Sequence, residues 1–284
     1  MAGIRLAIVA DIHNGKDIFT KRGTAALPLL KRFIAEVNDG DFDAVVDLGD
    51  RISDEDVDRD KELLAEVVSE FGALEIMHHH VNRNHDRATL IQADIDAILG
   101  GPTESRTVYI GDVRLVFWQP NVSIVEGRAL RLEEGDLEGL SRLLGADDRP
   151  TLLVTHVPLS GHAQIGNYYF EHNPGQATYA ELNEIRRIIG HAPCPIVGLA
   201  GHVHWNTLTV VDGTPHITLQ SLTETFTSGD PAGAAAVLEI EDQVLRWTVR
   251  GHDRLSLVLP WPAAKRPWQA PLSPADNRDK GTET

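Results

Sequence analysis

The sequence holds one cysteine, Cys194, in 284 residues. No intrachain disulfide framework can be built from it, and a chain so poor in thiols suits a reducing compartment, so the expected location is the cytoplasm. No apolar run approaches the roughly 20 residues of a membrane span, and no membrane partner is expected. A secretory leader is not expected either, because the first apolar stretch is short and runs straight into Asp11 and His13. Positive charge is in deficit: 26 Lys and Arg stand against 42 Asp and Glu, a net charge of -16. A surface this acidic repels polyanions at long range, which argues against DNA or RNA as a partner. Bound divalent metals would offset part of that charge. There is no internal repeat. The remaining composition, 42% hydrophobic and 24% charged, is that of an ordinary globular protein with enough length for one large core or two small ones.

What the chain does have is a set of short polar clusters, each directly after an apolar run. They are Asp11-Ile12-His13, Gly49-Asp50, Asn84-His85-Asp86, Thr155-His156 and Gly201-His202-Val203-His204. The preceding runs, 4–10, 44–48, 74–77, 151–154 and 195–200, read as strands. A strand that ends in Asp, Asn or His delivers that side chain to a sheet edge, where loops are free to carry function. Gly49 lets the backbone turn tightly and leaves the Asp50 carboxylate free. The donors are nitrogen and oxygen only, a set that suits Mn, Fe, Zn or Co rather than Cu(I) or Ca. Two divalent cations about 3.5–4 Å apart can clamp the attacking and leaving oxygens of a phosphoryl displacement.

Helical spacing of apolar residues predicts helices over 29–38, 54–71, 87–99, 132–144 and 179–189. A hairpin is predicted over 107–118, turning at Gly111-Asp112. Short strands follow over 207–211, 216–219, 235–240, 245–250 and 255–259. This mixture predicts two sheets packed face to face with helices outside, rather than one doubly wound sheet. From about 261 to 284 a proline-rich tail is expected to lack its own core, with Trp261 and Trp268 anchoring its first part.

The ordered set Asp-x-His, Gly-Asp, Asn-His-Asp, His, Gly-His-x-His resembles the calcineurin-like metallophosphoesterase superfamily. The resemblance spans 11–204 and implies an α/β fold, a four-layer α/β/β/α sandwich over 1–260 with a dinuclear metal centre at one end. It implies a first metal held by Asp11, His13, Asp50 and His204, and a second held by Asp50, Asn84, His156 and His202. Asp50 and a water or hydroxide would bridge the two. His85 would be the histidine that protonates the leaving group or steadies the phosphoryl oxygens. The chain departs from the family where Arg83 replaces the usual glycine before Asn84. Its guanidinium either binds a phosphate oxygen or lies on the surface of a slightly altered turn.

The implied chemistry is metal-dependent hydrolysis of a small-molecule phosphate ester, favouring a phosphodiester such as a cyclic nucleotide or a nucleotide-like pyrophosphate. The alternatives are a phosphomonoesterase or phosphoprotein phosphatase on the same site, and a non-catalytic binding or scaffold module of the same fold. Substrate contacts are expected from Tyr168 and Tyr169, whose rings can stack on a flat leaving group or cover the core. The loop over 14–22, with Lys16, Lys21 and Arg22, and the segment 220–227 are further candidate rims. Arg51 is expected either to approach the substrate phosphate or, the preferred reading, to pair with Asp54, Glu55 and Asp56; Asp86 is expected either to orient His85 or, the preferred reading, to cap the helix after it. One of His78, His79 and His80 could hydrogen-bond a carboxylate behind the site. His191, His216 and His252 read as surface or strand residues. An edge strand leaves an oligomer open.

Overall fold

Parallel strands that are apolar along their whole length need cover on both faces, and the chain supplies it in layers. The computed structural model describes residues 3–81, 86, 88–101, 103–120, 122–124 and 130–262. The first elements are β1 (Ile4–Val9), the short pair β2 (Asp17–Ile18) and β3 (Lys21–Arg22), α1 (Ala26–Asn38) and β4 (Ala44–Asp47). Then come α2 (Val57–Phe71), β5 (His78–His80), α3 (Gln92–Leu99), β6 (Arg106–Ile110), β7 (Val113–Phe117), β8 (Val122–Ile124) and β9 (Leu130–Leu132). The chain continues with α4 (Asp136–Gly145), β10 (Thr151–Val154), α5 (Leu182–His191) and β11 (Ile196–Ala200). It closes with β12 (Thr207–Val211), β13 (Thr214–Thr218), β14 (Ala235–Glu241), β15 (Val244–Arg250) and β16 (Leu255–Pro260).

Two six-stranded mixed sheets result, ordered β16-β15-β14-β1-β4-β5 and β12-β13-β11-β10-β7-β6. Strands β1, β4 and β5 run parallel, as do β7, β10, β11 and β13. The period of two splits each strand between two cores. Leu6 and Ile8 of β1 face inward with Val46 and Leu48, against Leu115, Phe117, Leu152 and Val154 of the other sheet. Ala7, Val9 and Val45 face outward onto Leu30, Phe33, Ile34, Val67 and Phe71 of α1 and α2. On the far side Val116, Leu153 and Ile196 pack on Leu140, Leu144, Ile185 and Ile189 of α4 and α5. The expected α/β/β/α sandwich is therefore the observed fold. Trp261 is buried in the inter-sheet core, and its N–H donates to the Gln243 carbonyl at 2.8 Å. Trp268 and the rest of the tail from 263 lie outside the described residues.

Several boundaries shift for identifiable reasons. The third strand is the histidine run itself, because Val45–Asp47 pair with His78–His80 rather than with 74–77. Helix α4 starts at Asp136 because Leu132 is paired with Val122 in a two-stranded ribbon. Helix α2 starts at Val57, where the Asp56 side chain accepts a hydrogen bond from the Arg59 N–H at 3.0 Å. His216 is a strand residue, as expected: it lies in β13 and is buried. Among the described residues no helix is long and apolar enough to cross a membrane.

Candidate metal centre

The C-terminal ends of β1, β4, β10 and β11 bring the expected residues together at one edge of the sandwich. Asp11 follows β1, Asp50 follows β4, His156 follows β10, and His202 and His204 follow β11. Within each sheet the loops are stitched by backbone bonds: Asp11 N–H to Gly49 O (2.9 Å), His13 N–H to Asp50 O (3.0 Å) and Gly201 N–H to His156 O (2.9 Å). Between the sheets, the His202 N–H donates to both carboxylate oxygens of Asp11 at 3.0 Å.

Six of the seven expected ligands fall into two triads. In one, His204 Nε2 lies 3.0 Å from His13 Nε2 and 3.4 Å from Asp11 Oδ1, and His13 Nε2 lies 4.0 Å from the same oxygen. In the other, Asp50, His156 and His202 each offer a donor atom within 4.8 Å of the other two, and His156 Nε2 lies 3.1 Å from Asp50 Oδ2. Bonds of 2.0–2.2 Å to one cation set neighbouring ligand atoms about 3.0–3.5 Å apart, and the 3.0, 3.4 and 3.1 Å spacings fit that range.

The tautomers agree. Each ring has one nitrogen near a fixed acceptor, which leaves the other nitrogen's lone pair for a metal. His204 Nδ1 meets Glu224 Oε2 at 2.9 Å, His156 Nδ1 meets Leu48 O at 2.8 Å, and His13 Nδ1 lies 3.4 Å from Ile52 O. His202 is reversed: its Nε2 meets Gln176 O at 2.8 Å, so Nδ1 is the free end. His156 Nε2 is wholly buried and makes no hydrogen bond. Its polar neighbour is Asp50 Oδ2, itself an expected ligand, and a cation between the two is the partner this donor set fits.

The backbone is bent to serve these side chains. Among the described residues ten non-glycine positions have positive φ, and five of them are expected ligands: Asp11 (51°), His13 (50°), Asp50 (54°), His202 (70°) and His204 (57°). Left-handed conformations cost on the order of 1–3 kcal/mol each and concentrate at functional sites. Gly201 is required by close approach, since a Cβ there would meet Asp11 Oδ2 at 2.5 Å. Gly49 (φ 98°) would put a Cβ 2.9 Å from Val81 O.

The carboxylates of the site act on its imidazoles. Burial disfavours the charged form of His204, but its hydrogen bonds to Asp11 and Glu224 outweigh that and lift its pKa to about 9. Burial opposes the charged form of His156 too, and the adjacent Asp50 carboxylate still raises its pKa. His202 goes the other way: burial, helped by the neighbouring charge on His156, lowers it to about 3 and keeps the ring neutral.

No family model matches the sequence, and no curated protein matches it. Among solved structures the chain is similar to a dimetal phosphatase from Danio rerio, with a TM-score of 0.71 and 17% identity over 89% of this chain and 98% of that one. The chain has the calcineurin-like metallophosphoesterase fold. It is also similar to a purple acid phosphatase from yellow lupin (Lupinus luteus) seeds, with a TM-score of 0.63 and 14% identity over 91% of this chain and 54% of that one.

The other residues of this edge divide into three groups. Arg83, Asn84 and His85 lie outside the described residues. Tyr168 and Tyr169 are part-exposed and line a cavity of about 210 Å³ beside the centre, together with Asp50, His202 and His204. Phe170 turns inward, and its ring packs 5.1 Å from that of His202. Arg51 and Asp86 correct the sequence reading. Arg51 is fully buried, with Nε 2.6 Å from Asp47 Oδ2, Nη1 2.9 Å from Asp86 Oδ2, and Nη2 donating to Val81 O at 2.9 Å. Asp86 caps no helix, because α3 begins only at Gln92. Instead it accepts from the backbone and side chain of Arg51. His80 does bond a carboxylate, Asp47 at 2.9 Å.

Sequence reasoning missed Glu224 and Gln176, which orient His204 and His202. Glu224 is the only acidic residue in the run 220–227 and is fully buried. That lone acid among Ser, Thr and Gln was the available signal.

Proposed function

We propose that the chain is a metal-dependent phosphoesterase that hydrolyses small phosphate esters, phosphodiesters first, with two divalent cations of the Mn, Fe or Zn kind. One observation carries the reading: four imidazoles are each tied at one nitrogen, so that the other joins Asp11 or Asp50 at two points on one edge of the sandwich. One cation would take Asp11, His13, Asp50 and His204. The other would take Asp50, Asn84, His156 and His202, with Asp50 shared. When bound, such a pair lowers the pKa of water toward neutrality and neutralises charge on phosphoryl oxygens.

The chain's own groups do the rest. Glu224 and the Leu48 carbonyl fix the His204 and His156 rings before substrate arrives, so no reorganisation is needed during reaction. His85 is assigned the proton delivered to the departing alkoxide, and Arg83 a hydrogen bond to a phosphoryl oxygen. Tyr168 and Tyr169 on the cavity wall offer a flat leaving group a surface to stack on. That wall favours an ester with a sizeable second substituent, and the acidic body disfavours polymeric nucleic acid. We assign the activity to a domain over 1–260 that acts in the cytoplasm, with 261–284 as an appended tail.

The test is hydrolysis of bis(p-nitrophenyl) phosphate and p-nitrophenyl phosphate by the Mn²⁺-loaded protein, with and without chelator. The diester is expected to turn over faster, the chelator to abolish turnover, and Asp50→Ala to cost at least about a thousandfold, roughly 4 kcal/mol of barrier. A monoester preference would move the assignment to a phosphomonoesterase. Metal binding without turnover of either ester would overturn the enzyme reading in favour of a binding module.

A further inference from the structure

A lysine is buried in the wall of the cavity beside the centre. Lys21 is only 7% exposed and lines that cavity with Asp50, His202 and His204. Among the described residues no hydrogen bond or ion pair of its ammonium is found. Its direction follows from the strand pairing. Lys21 sits opposite Glu224 in an antiparallel bridge, and directly opposed residues project from the same face. Glu224 uses that face to reach His204, so Lys21 leaves β3 on the side of the centre.

The β2–β3 hairpin is pinned there. The Arg22 N–H donates to Thr223 O at 3.0 Å, and Thr225 Oγ1 donates to Thr20 O at 2.7 Å. The hairpin tip carries Phe19 at φ 51° and 86% exposed, on the same cavity wall. Lys21 Nζ is not among the enclosed nitrogens that lack a partner, so its charge opens onto the cavity, and Lys21 belongs to neither ligand triad. A cationic group held beside, but outside, a phosphoryl-binding centre matches a substrate with a second anionic group.

We propose that Lys21 is a specificity-determining residue that binds a second phosphate, so that the preferred substrates are pyrophosphate-linked nucleotides rather than simple monoesters or diesters. This rests on the phosphoesterase reading above. In hydrolysis the water oxygen bonds to one phosphorus and the bridging P–O bond breaks. Its electron pair leaves with the second phosphate, and the water's protons pass to the products and solvent. Lys21 carries the charge on the departing phosphate.

The experiment is calorimetric binding of α,β-methylene-ADP, whose bridge cannot be hydrolysed, and of AMP to the Mn²⁺-loaded full chain. Wild type binds the diphosphate more tightly. Lys21→Met weakens it about ten- to hundredfold and changes AMP by less than about twofold, whereas Lys21→Arg keeps the preference because it keeps the charge. A wild type without a diphosphate preference, or a Lys21→Met variant that weakens both ligands alike, overturns the proposal. A Lys21-dependent preference in a protein that hydrolyses no phosphate ester would sink the phosphoesterase reading alone. Ester hydrolysis without that dependence would sink this proposal alone.

Discussion

Replacing Arg51 by methionine removes the guanidinium at the junction of the Asp50 loop and the stretch between Val81 and Asp86. The contacts to Asp47 Oδ2, Asp86 Oδ2 and Val81 O vanish. Asp47 keeps His80 and the Gly49 N–H. Both carboxylates stay fully buried. Breaking a buried ion pair from one side typically costs about 3–5 kcal/mol, which for a chain of this size is a melting shift of roughly 6–20 °C.

The loss must also depend on pH. Asp86 titrates at about 6 in the folded chain, above the 3.8 of an ordinary aspartate: burial raises it, opposed by the charge of Arg51. Removing Arg51 lets it climb further. Below that value Asp86 is protonated in both proteins and the pair contributes little; above it only the wild type keeps the ion pair. Burial pushes Asp47 up as well, but the Arg51 charge and the His80 bond outweigh that and hold it below the ordinary range. Its share of the loss is therefore present throughout. Destabilisation should grow from pH 5 to pH 8. Urea unfolding of chelator-treated protein measures it without a contribution from metal release. Arg51→Met with Asp86→Leu should recover about half, since it removes one of the two stranded carboxylates. A loss below about 1 kcal/mol at pH 8, the range of an exposed pair, or an equal loss at pH 5 and pH 8, refutes the reasoning.

Glu224→Gln keeps an acceptor for His204 Nδ1 but removes the anion, so His204 should titrate below its present value of about 9. Mn²⁺ affinity at the Asp11 triad should fall about ten- to a hundredfold; calorimetry showing both sites unchanged would exclude an orienting role. His216 is lowered to about 4, first by burial and then by the charge of Arg186. Its folded value lies below the unfolded one, so the unfolded chain takes up the proton first, and stability contributed by the neutral ring is lost as pH falls from about 6.5 to about 4. That amounts to about 3 kcal/mol at the lower end. His216→Leu should flatten the urea-midpoint profile in that window by up to one proton, and parallel profiles for the two proteins would contradict it.

The residues legible in the sequence were those whose positions are fixed by a strand immediately before them. Asp11, Asp50, His156, His202 and His204 could be placed because a strand end has one address. Glu224 follows β13 by six residues of loop, and its partner His204 is twenty residues upstream, so no local pattern joins them. Arg51 and Asp86 were misread for a related reason. The nearest charges to Arg51 in sequence are 54–56, while in space they are Asp47 and Asp86. Lys21 sits on a two-residue strand, too short to leave a periodic signal.

Asp11 and His202 are 191 residues apart along the chain, and the Asp11 carboxylate is gripped by the backbone of His202. Both triads therefore draw a histidine from the turn that begins at Gly201. A ribosome that has not yet delivered this turn has made neither triad, however well the first sheet has formed. Loading with metal can then only follow synthesis of both halves, and a prematurely terminated fragment would emerge without a place to hold an ion.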